Sequence, residues 1–230
     1  MDYKKKIISF LKRKFYILSK PKFGYTASNK SKDLKYNILD IGCGGNSPLE
    51  TKLVFPQSRY IGIDRDFNYH NNKLSVSLID KKIKFDLNEN LENLENQISK
   101  ENFDIIIFNH TIEHTFNGIE VLNLVTSKLN KNGCIYVEFP SIRSLYLPSM
   151  RGTLNFCDDN THLRIYSIRE IVNTLLLHNC KVISAGRRLN MFSLFLIPIR
   201  ILNCIFYKKS PAGLFWDLLG FADYIYAYKY

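Results

Sequence analysis

Asn37-Ile38-Leu39-Asp40-Ile41-Gly42-Cys43-Gly44-Gly45-Asn46 is the stretch that decides the fold. A short apolar run with one acid near its end breaks into closely spaced glycines. That is the pattern of a buried parallel strand running into a turn where backbone approaches a ligand. Gly42 and Gly44 remove two β-carbons from the turn. Asp40 falls at the carboxyl edge of the strand, where open α/β sheets bind their ligands. A dinucleotide-binding turn needs a further glycine three positions after Gly44. Ser47 stands there, which disfavours a pyrophosphate cradle.

Working outward, residues 48–54 read as a helix, and Arg59-Tyr60-Ile61-Gly62-Ile63-Asp64 is a second apolar strand closed by an acid. Asp64 lies one strand–helix–strand unit after Asp40, where a carboxylate accepts hydrogen bonds from the ribose hydroxyls of a nucleoside. Ile83-Lys84-Phe85-Asp86-Leu87 is a third, weaker strand, and residues 88–101 are polar and helix-like. Phe103-Asp104-Ile105-Ile106-Ile107-Phe108 is the strongest strand, a continuous β-branched run of the fully buried kind. Asn109-His110-Thr111-Ile112-Glu113-His114 follows it. Helix 118–129 then leads through Gly133 into Ile135-Tyr136-Val137-Glu138-Phe139-Pro140. Strand–helix units with short connections imply a parallel, doubly wound sheet.

Residues 141–165 are too long and too polar for a simple connection, and a loop of that kind shapes the substrate side of a pocket. Its end, Asp158-Asp159-Asn160-Thr161-His162-Leu163-Arg164-Ile165-Tyr166-Ser167, runs into helix 168–178, which Ser167 and Glu170 open as a capping box. Residues 181–186 and 224–229 read as the last two strands, with 190–220 an apolar insertion between them. Within it, 191–207 falls short of the ~20 apolar residues of a membrane span, and Pro198, Arg200 and Asn203 interrupt it.

This ordered series resembles the class I S-adenosylmethionine (SAM)-dependent methyltransferases, in the branch that includes quinone-biosynthesis and polysaccharide-cluster enzymes. Asp-Ile-Gly-Cys-Gly at 40–44 resembles the family's first motif. Residues 109–114 are similar to its post-strand segment, with Ile112 in place of leucine, and Gly133-Cys134 replaces the usual Gly-Gly. The resemblance implies a Rossmann-like seven-stranded sheet with an antiparallel last strand. It implies SAM as cofactor and S-adenosylhomocysteine (SAH) as product. It assigns cofactor contacts to Asp40, Gly42, Gly44, Asp64, Arg65, Asp86, Leu87, Asn109, His110 and His114, with Asp86 and Leu87 towards adenine and Asn109 and His110 towards the methionine end. For His114, a structural histidine at a helix start is the competing reading.

SAM carries its own electrophile, so such an enzyme need only align an acceptor and remove a proton where required. A hydroxyl acceptor benefits from a general base, and a histidine near its ordinary pKa of about 6.5 suits neutral pH. His162, in the polar loop beside Asp158 and Asp159, is the first candidate and His110 the second. A hydrogen bond that merely orients the loop is the alternative for His162. A neutral amine or carboxylate acceptor needs no base. No metal-ligand spacing is evident, so no metal is expected.

At 230 residues the chain is long enough for one large domain, here 36–230, preceded by a basic helix and linker over 1–35. Those first 35 residues hold eleven of the 32 Lys/Arg and only two of the 21 acids, so the net charge of +11 is mostly a property of this end. Residues 1–20 form a basic amphipathic helix with Ile7, Ile8, Leu11, Phe15 and Leu18 on one stripe. Lys12-Arg13-Lys14 interrupts the apolar run, which excludes a signal peptide. A helix packed on the sheet and a helix drawn to an anionic membrane surface both fit. Five scattered cysteines without a Cys-x-x-Cys pair argue for core thiols in a reducing cytoplasm. The expected location is cytoplasmic, with a peripheral position at the inner face of the membrane as the alternative that the basic helix leaves open.

Three functions compete. The first is methyl transfer to a hydroxyl of a small-molecule, sugar or lipid-linked acceptor. The second is nucleic-acid methylation, disfavoured because neither an Asn-Pro-Pro-Tyr tetrapeptide nor a Pro-Cys nucleophile occurs. The third is a non-catalytic SAM-binding or membrane-docking module.

Overall fold

The computed structural model describes residues 2–28, 30–68, 72–207 and 212–230. Seven strands form one sheet: β1 (Asn37–Ile41), β2 (Arg59–Asp64), β3 (Lys81–Lys84), β4 (Phe103–Asn109), β5 (Leu129–Pro140), β6 (Cys180–Arg187) and β7 (Ala222–Lys229). Their order is β3-β2-β1-β4-β5-β7-β6. β1 to β5 are parallel, and β7 runs antiparallel between β5 and β6. The chain begins at β1, winds outward to β3, then returns to β4. The reversal between β1 and β4 opens a crevice at their carboxyl ends.

Successive residues of the central strands point to opposite faces, and both faces are covered. Leu39, Ile41, Ile106 and Phe108 pack under α5 (Leu91–Ile98), α6 (Gly118–Ser127) and α7 (Ile168–Leu177). Ile38, Ile105, Ile107 and Tyr136 pack on the other face with Phe23 of α2 (Pro21–Thr26) and with Val54 of α3 (Ser47–Val54). Burial on both sides explains why these strands read as unbroken apolar runs. The edge strand β3 is lysine-rich and starts two residues earlier than the sequence suggests. Asp86 and Leu87 therefore lie in the loop after it. Lysines on an edge strand also block pairing with another chain.

The basic helix α1 (Asp2–Ser19) ends just before Pro21, which opens α2 at a position where its missing N–H costs nothing. Contacts with α3, with α8 (Met191–Phe195) and with the loop before α8 fix α1. Arg13 Nε donates to Val54 O at 3.1 Å, Asn190 Nδ2 donates to Leu18 O at 2.8 Å, and Phe15 meets Phe192 edge-on. The side chain of Ile7 lies outside the described residues, as do residues 208–211 of the insertion. The rest of the insertion forms α8 (Met191–Phe195), α9 (Ile197–Tyr207) and α10 (Ala212–Leu219). Among the described residues, no helix is long and apolar enough to cross a membrane. A short helix, α4 (Lys73–Ser77), precedes β3. Loop 141–165 holds two 3-10 turns, Ile142–Tyr146 and Phe156–Asp158. Asp158 binds this loop together by accepting from the backbone N–H groups of Met150, Leu154 and Asn155.

Candidate active site

Gly42 and Gly44 both adopt left-handed backbone (φ 64° and 57°), which favours glycine. At Gly42 a β-carbon would lie 2.1 Å from Thr111 Oγ1, whose hydroxyl donates to Ile41 O. At Gly44 a β-carbon would meet no protein atom within 4 Å, so the space above this glycine is open. Gly44 N donates to Asp64 Oδ2 at 3.0 Å, joining the ends of β1 and β2.

A cleft of about 520 Å³ opens over this turn. Gly42, Gly44, Asp64, Arg65, Asp86, Leu87, His110 and His114 line it, together with Phe85, Asp159, Thr161 and Leu163. Eight of the residues that the sequence assigns to a cofactor thus share one cleft. Asn88 closes one wall, since its Nδ2 donates to His114 O and its Oδ1 accepts from Phe116 N.

Asp40 and Asn109 are placed elsewhere. Asp40 is buried behind the turn, accepting from Ser47 Oγ at 2.5 Å and Tyr60 OH at 2.6 Å. Burial raises its pKa, an effect opposed by Lys22, Ser47 and Tyr60. Lys22 Nζ in turn donates to Ser47 Oγ at 2.6 Å. The serine that replaces a fingerprint glycine is therefore the link between a buried lysine and a buried aspartate. Asn109 lines a second cavity of about 310 Å³, which adjoins the first at His110.

His110 stands between the two cavities in left-handed backbone (φ 51°), an uncommon conformation for a side chain-bearing residue. Its Nε2 lies 2.7 Å from Glu138 Oε1 and its Nδ1 3.4 Å from Glu113 Oε1. Burial alone would lower its pKa, but the hydrogen bonds to the two carboxylates outweigh burial and raise it to about 9. At neutral pH the ring keeps its proton. The sequence offers His110 as a second candidate general base; in the structure each of its ring nitrogens faces a carboxylate. Burial would raise the pKa of Glu138, but Arg188, His110 and Tyr136 hold it far below the usual carboxylate range. Arg188 also pairs with Asp217 of α10 at 3.1 Å.

His162 also departs from expectation. Its side chain is 5% exposed and does not line either cavity. Its Nδ1 lies 2.7 Å from Phe156 O, and its ring packs between Phe156 and His114. The loop turns this imidazole inward because Asp158 fixes the preceding turn and Phe156 offers an apolar face. It orients the loop that carries Asp159 and Thr161. His114, with Nδ1 3.1 Å from Thr161 O, is the histidine of this pair that reaches the cleft. Glu113, His114 and His162 each offer a ligand atom within 4.8 Å of the others, a set that could hold a divalent cation where none is expected from sequence.

The sequence reading missed Lys22, Glu138, Arg188 and Asp217. Glu138 alone carries a local signal, an acid inside an otherwise apolar strand, two residues after Tyr136 and on the same face.

A doubly wound sheet with a glycine turn, a strand-end acid and a cleft at the switch point defines a nucleoside-binding protein of the Rossmann-like class. The comparisons with known proteins narrow this. The family described as "Methyltransferase domain" matches residues 3–185, so the chain belongs to the class I SAM-dependent methyltransferases. An uncharacterized protein of Methanocaldococcus jannaschii is 29% identical over 135 residues, 53% of this chain. This chain spans about a third of that relative's length (34%). Among solved structures, a SAM-dependent methyltransferase from Archaeoglobus fulgidus superposes with a TM-score of 0.55, at 21% identity, over 96% of this chain and 94% of its own. The plantazolicin methyltransferase BamL, in complex with a triazolic desmethylPZN analog and SAH, gives 0.59 at 18% identity, over 98% and 91%. These likenesses show the shared fold.

The cleft fits SAM. Its volume lies within the ~300–1,000 Å³ of small-molecule sites. Its glycine turn leaves open space, and carboxylates from two successive strand ends face it.

Proposed function

We propose that this chain transfers a methyl group from SAM to a hydroxyl of a small-molecule, sugar or lipid-linked acceptor entering through the second cavity. The observation that carries this reading is the meeting of two cavities at His110, one built for a nucleoside and the other lined by polar and aromatic groups. When bound, SAM supplies an electrophilic methyl on a sulfonium. The chain's own residues bind and orient. Gly42 and Gly44 let the ligand approach the main chain, and Asp64 and Asp86 offer carboxylates to hydroxyl and amino groups. His110, held by Glu113 and Glu138, places a fixed positive charge at the junction of the two cavities. With both of its nitrogens committed, the acceptor's proton leaves to water or to another group. Replacing Asp64 by Ala should weaken SAM binding at least about tenfold, the effect of losing one charged hydrogen-bond acceptor. Undiminished affinity in a folded variant would remove the cofactor role from this cleft.

A peripheral membrane location at the inner face is part of the same reading. Phe10, Leu11, Phe15 and Leu18 of α1 are exposed, as are Met191, Phe195, Ile199, Leu202, Ile205 and Phe206 of α8 and α9. The Phe15–Phe192 contact joins the two sets, and Lys12, Arg13 and Lys14 add positive charge beside them. Apolar side chains flanked by lysines match an anionic bilayer surface. Sedimentation with anionic vesicles at low salt tests it, and a protein that stays wholly in the supernatant contradicts it.

A further inference from the structure

The second cavity has an uneven charge pattern that the methyl-transfer reading does not use. Four basic side chains, Lys20, Lys22, Arg188 and Arg200, line it together with His110. Most of that charge is already matched. Lys20 pairs with Glu50 at 2.5 Å, and Arg188 is held between Glu138 and Asp217. His110 lies between Glu113 and Glu138.

Two cations make no direct ion pair among the described residues. Lys22 is 7% exposed and spends one N–H on Ser47 Oγ, through which it faces buried Asp40 without a direct pair. Arg200, half-buried on α9, meets no carboxylate among the described residues. Its helix is otherwise apolar over Ile197-Pro198-Ile199-Arg200-Ile201-Leu202, so the guanidinium faces the cavity out of apolar surroundings. Placing an uncompensated charge in a partly desolvated cavity is costly unless a counter-charge arrives.

The two groups come from different elements, α2 and α9, and offer different donors. Arg200 presents a planar fork suited to two oxygens of one anion, and Lys22 has two N–H bonds still to give. A planar carboxylate is fully met by one fork. A phosphate, with oxygens in several directions and up to two negative charges, can be met from both elements at once.

We propose that the acceptor methylated at this site carries a phosphate, held in the second cavity by Arg200 and Lys22. This rests on the methyltransferase reading and names its substrate class. The phosphate anchors the acceptor at the α2–α9 side, and its nucleophile is turned towards His110 at the junction with the cofactor cleft. The phosphate could belong to a soluble ester or to a lipid headgroup, since the exposed apolar residues of α8 and α9 adjoin the cavity.

The test is calorimetric titration of the full chain with sodium pyrophosphate at constant ionic strength, with and without saturating SAH, for wild type and Arg200→Gln. The proposal predicts saturable binding by wild type, at least about tenfold weaker in the variant, with SAH affinity unchanged. Sodium acetate at the same ionic strength should bind far more weakly than pyrophosphate. Equal pyrophosphate binding by the two proteins would overturn the proposal, and so would acetate binding as tight as pyrophosphate. A parallel loss of SAH affinity in Arg200→Gln would also overturn it, by showing that Arg200 reads the cofactor's own carboxylate. Failure of wild type to bind SAH, with Arg200-dependent pyrophosphate binding intact, would count against the methyltransferase reading and leave the phosphate site standing. Sedimentation with phosphatidylcholine vesicles, with or without phosphatidic acid, separates the sources. Arg200-dependent capture by the acidic vesicles assigns the phosphate to a lipid, and pyrophosphate binding without capture assigns it to a soluble ester.

Discussion

Replacing Glu138 by Gln removes the carboxylate on which the junction of the two cavities depends. His110 rises from 6.5 to about 9 on folding, which corresponds to about 3 kcal/mol of preference for the charged ring. Glu113 and Glu138 both contribute to this, so removing Glu138 takes away roughly half, about 1–2 kcal/mol. Arg188 loses one of its two partners as well. Removing one member of a buried ion pair costs about 3–5 kcal/mol, and Asp217 retains part of that interaction. The expected destabilisation at pH 7 is therefore about 3 kcal/mol by urea denaturation. The pH dependence carries a sign of its own. A group whose folded pKa lies above its unfolded one contributes stability that is fully present below about 6.5 and lost as pH rises through about 9. Wild type should lose stability across that window, and Glu138→Gln should show a flatter profile there. The His110 ring signal followed by NMR should titrate near 9 in wild type and clearly lower in the variant. A stability change under about 1 kcal/mol, or an unmoved His110 midpoint, would refute the reasoning.

The two glycines of the turn should separate cleanly. Gly42→Ala forces a β-carbon against Thr111 and should cost about 2–4 kcal/mol in denaturation. Gly44→Ala meets no protein atom, so only the left-handed backbone penalty of about 1–2 kcal/mol applies, yet its methyl fills the space over the turn and SAH affinity should fall. Ser167→Ala removes the capping box at the start of α7, where Ser167 Oγ accepts from Glu170 N and Glu170 accepts from Ser167 N. It should lower stability by about 1 kcal/mol with SAH affinity unchanged.

What the sequence made legible was local or periodic. The β1 turn, the β-branched β4, the capping box at Ser167 and the antiparallel Tyr224–Lys229 segment each carry their signal within a few residues, and each has its counterpart in the structure. The start of β3 was obscured because Lys81 and Lys82 look like loop residues until the strand is seen at the sheet edge. The electrostatics of the junction were not legible, because His110, Glu138, Arg188 and Asp217 lie far apart in the chain and meet only when β5, β6 and α10 assemble. His162 shows the complementary failure. Its polar neighbours suggest an open loop, but the turn fixed by Asp158 directs the ring inward against Phe156. Lys22 was hidden in the basic N-terminal run, where one buried lysine is indistinguishable from its solvated neighbours.

The most direct test of the central claim is calorimetric titration of the purified chain with SAM and, separately, with NAD. The account predicts micromolar binding of SAM, weakened in Asp64→Ala, and no binding of NAD, because Ser47 stands where a pyrophosphate cradle needs glycine. A well-folded protein that ignores SAM, or that binds NAD in its place, would contradict it.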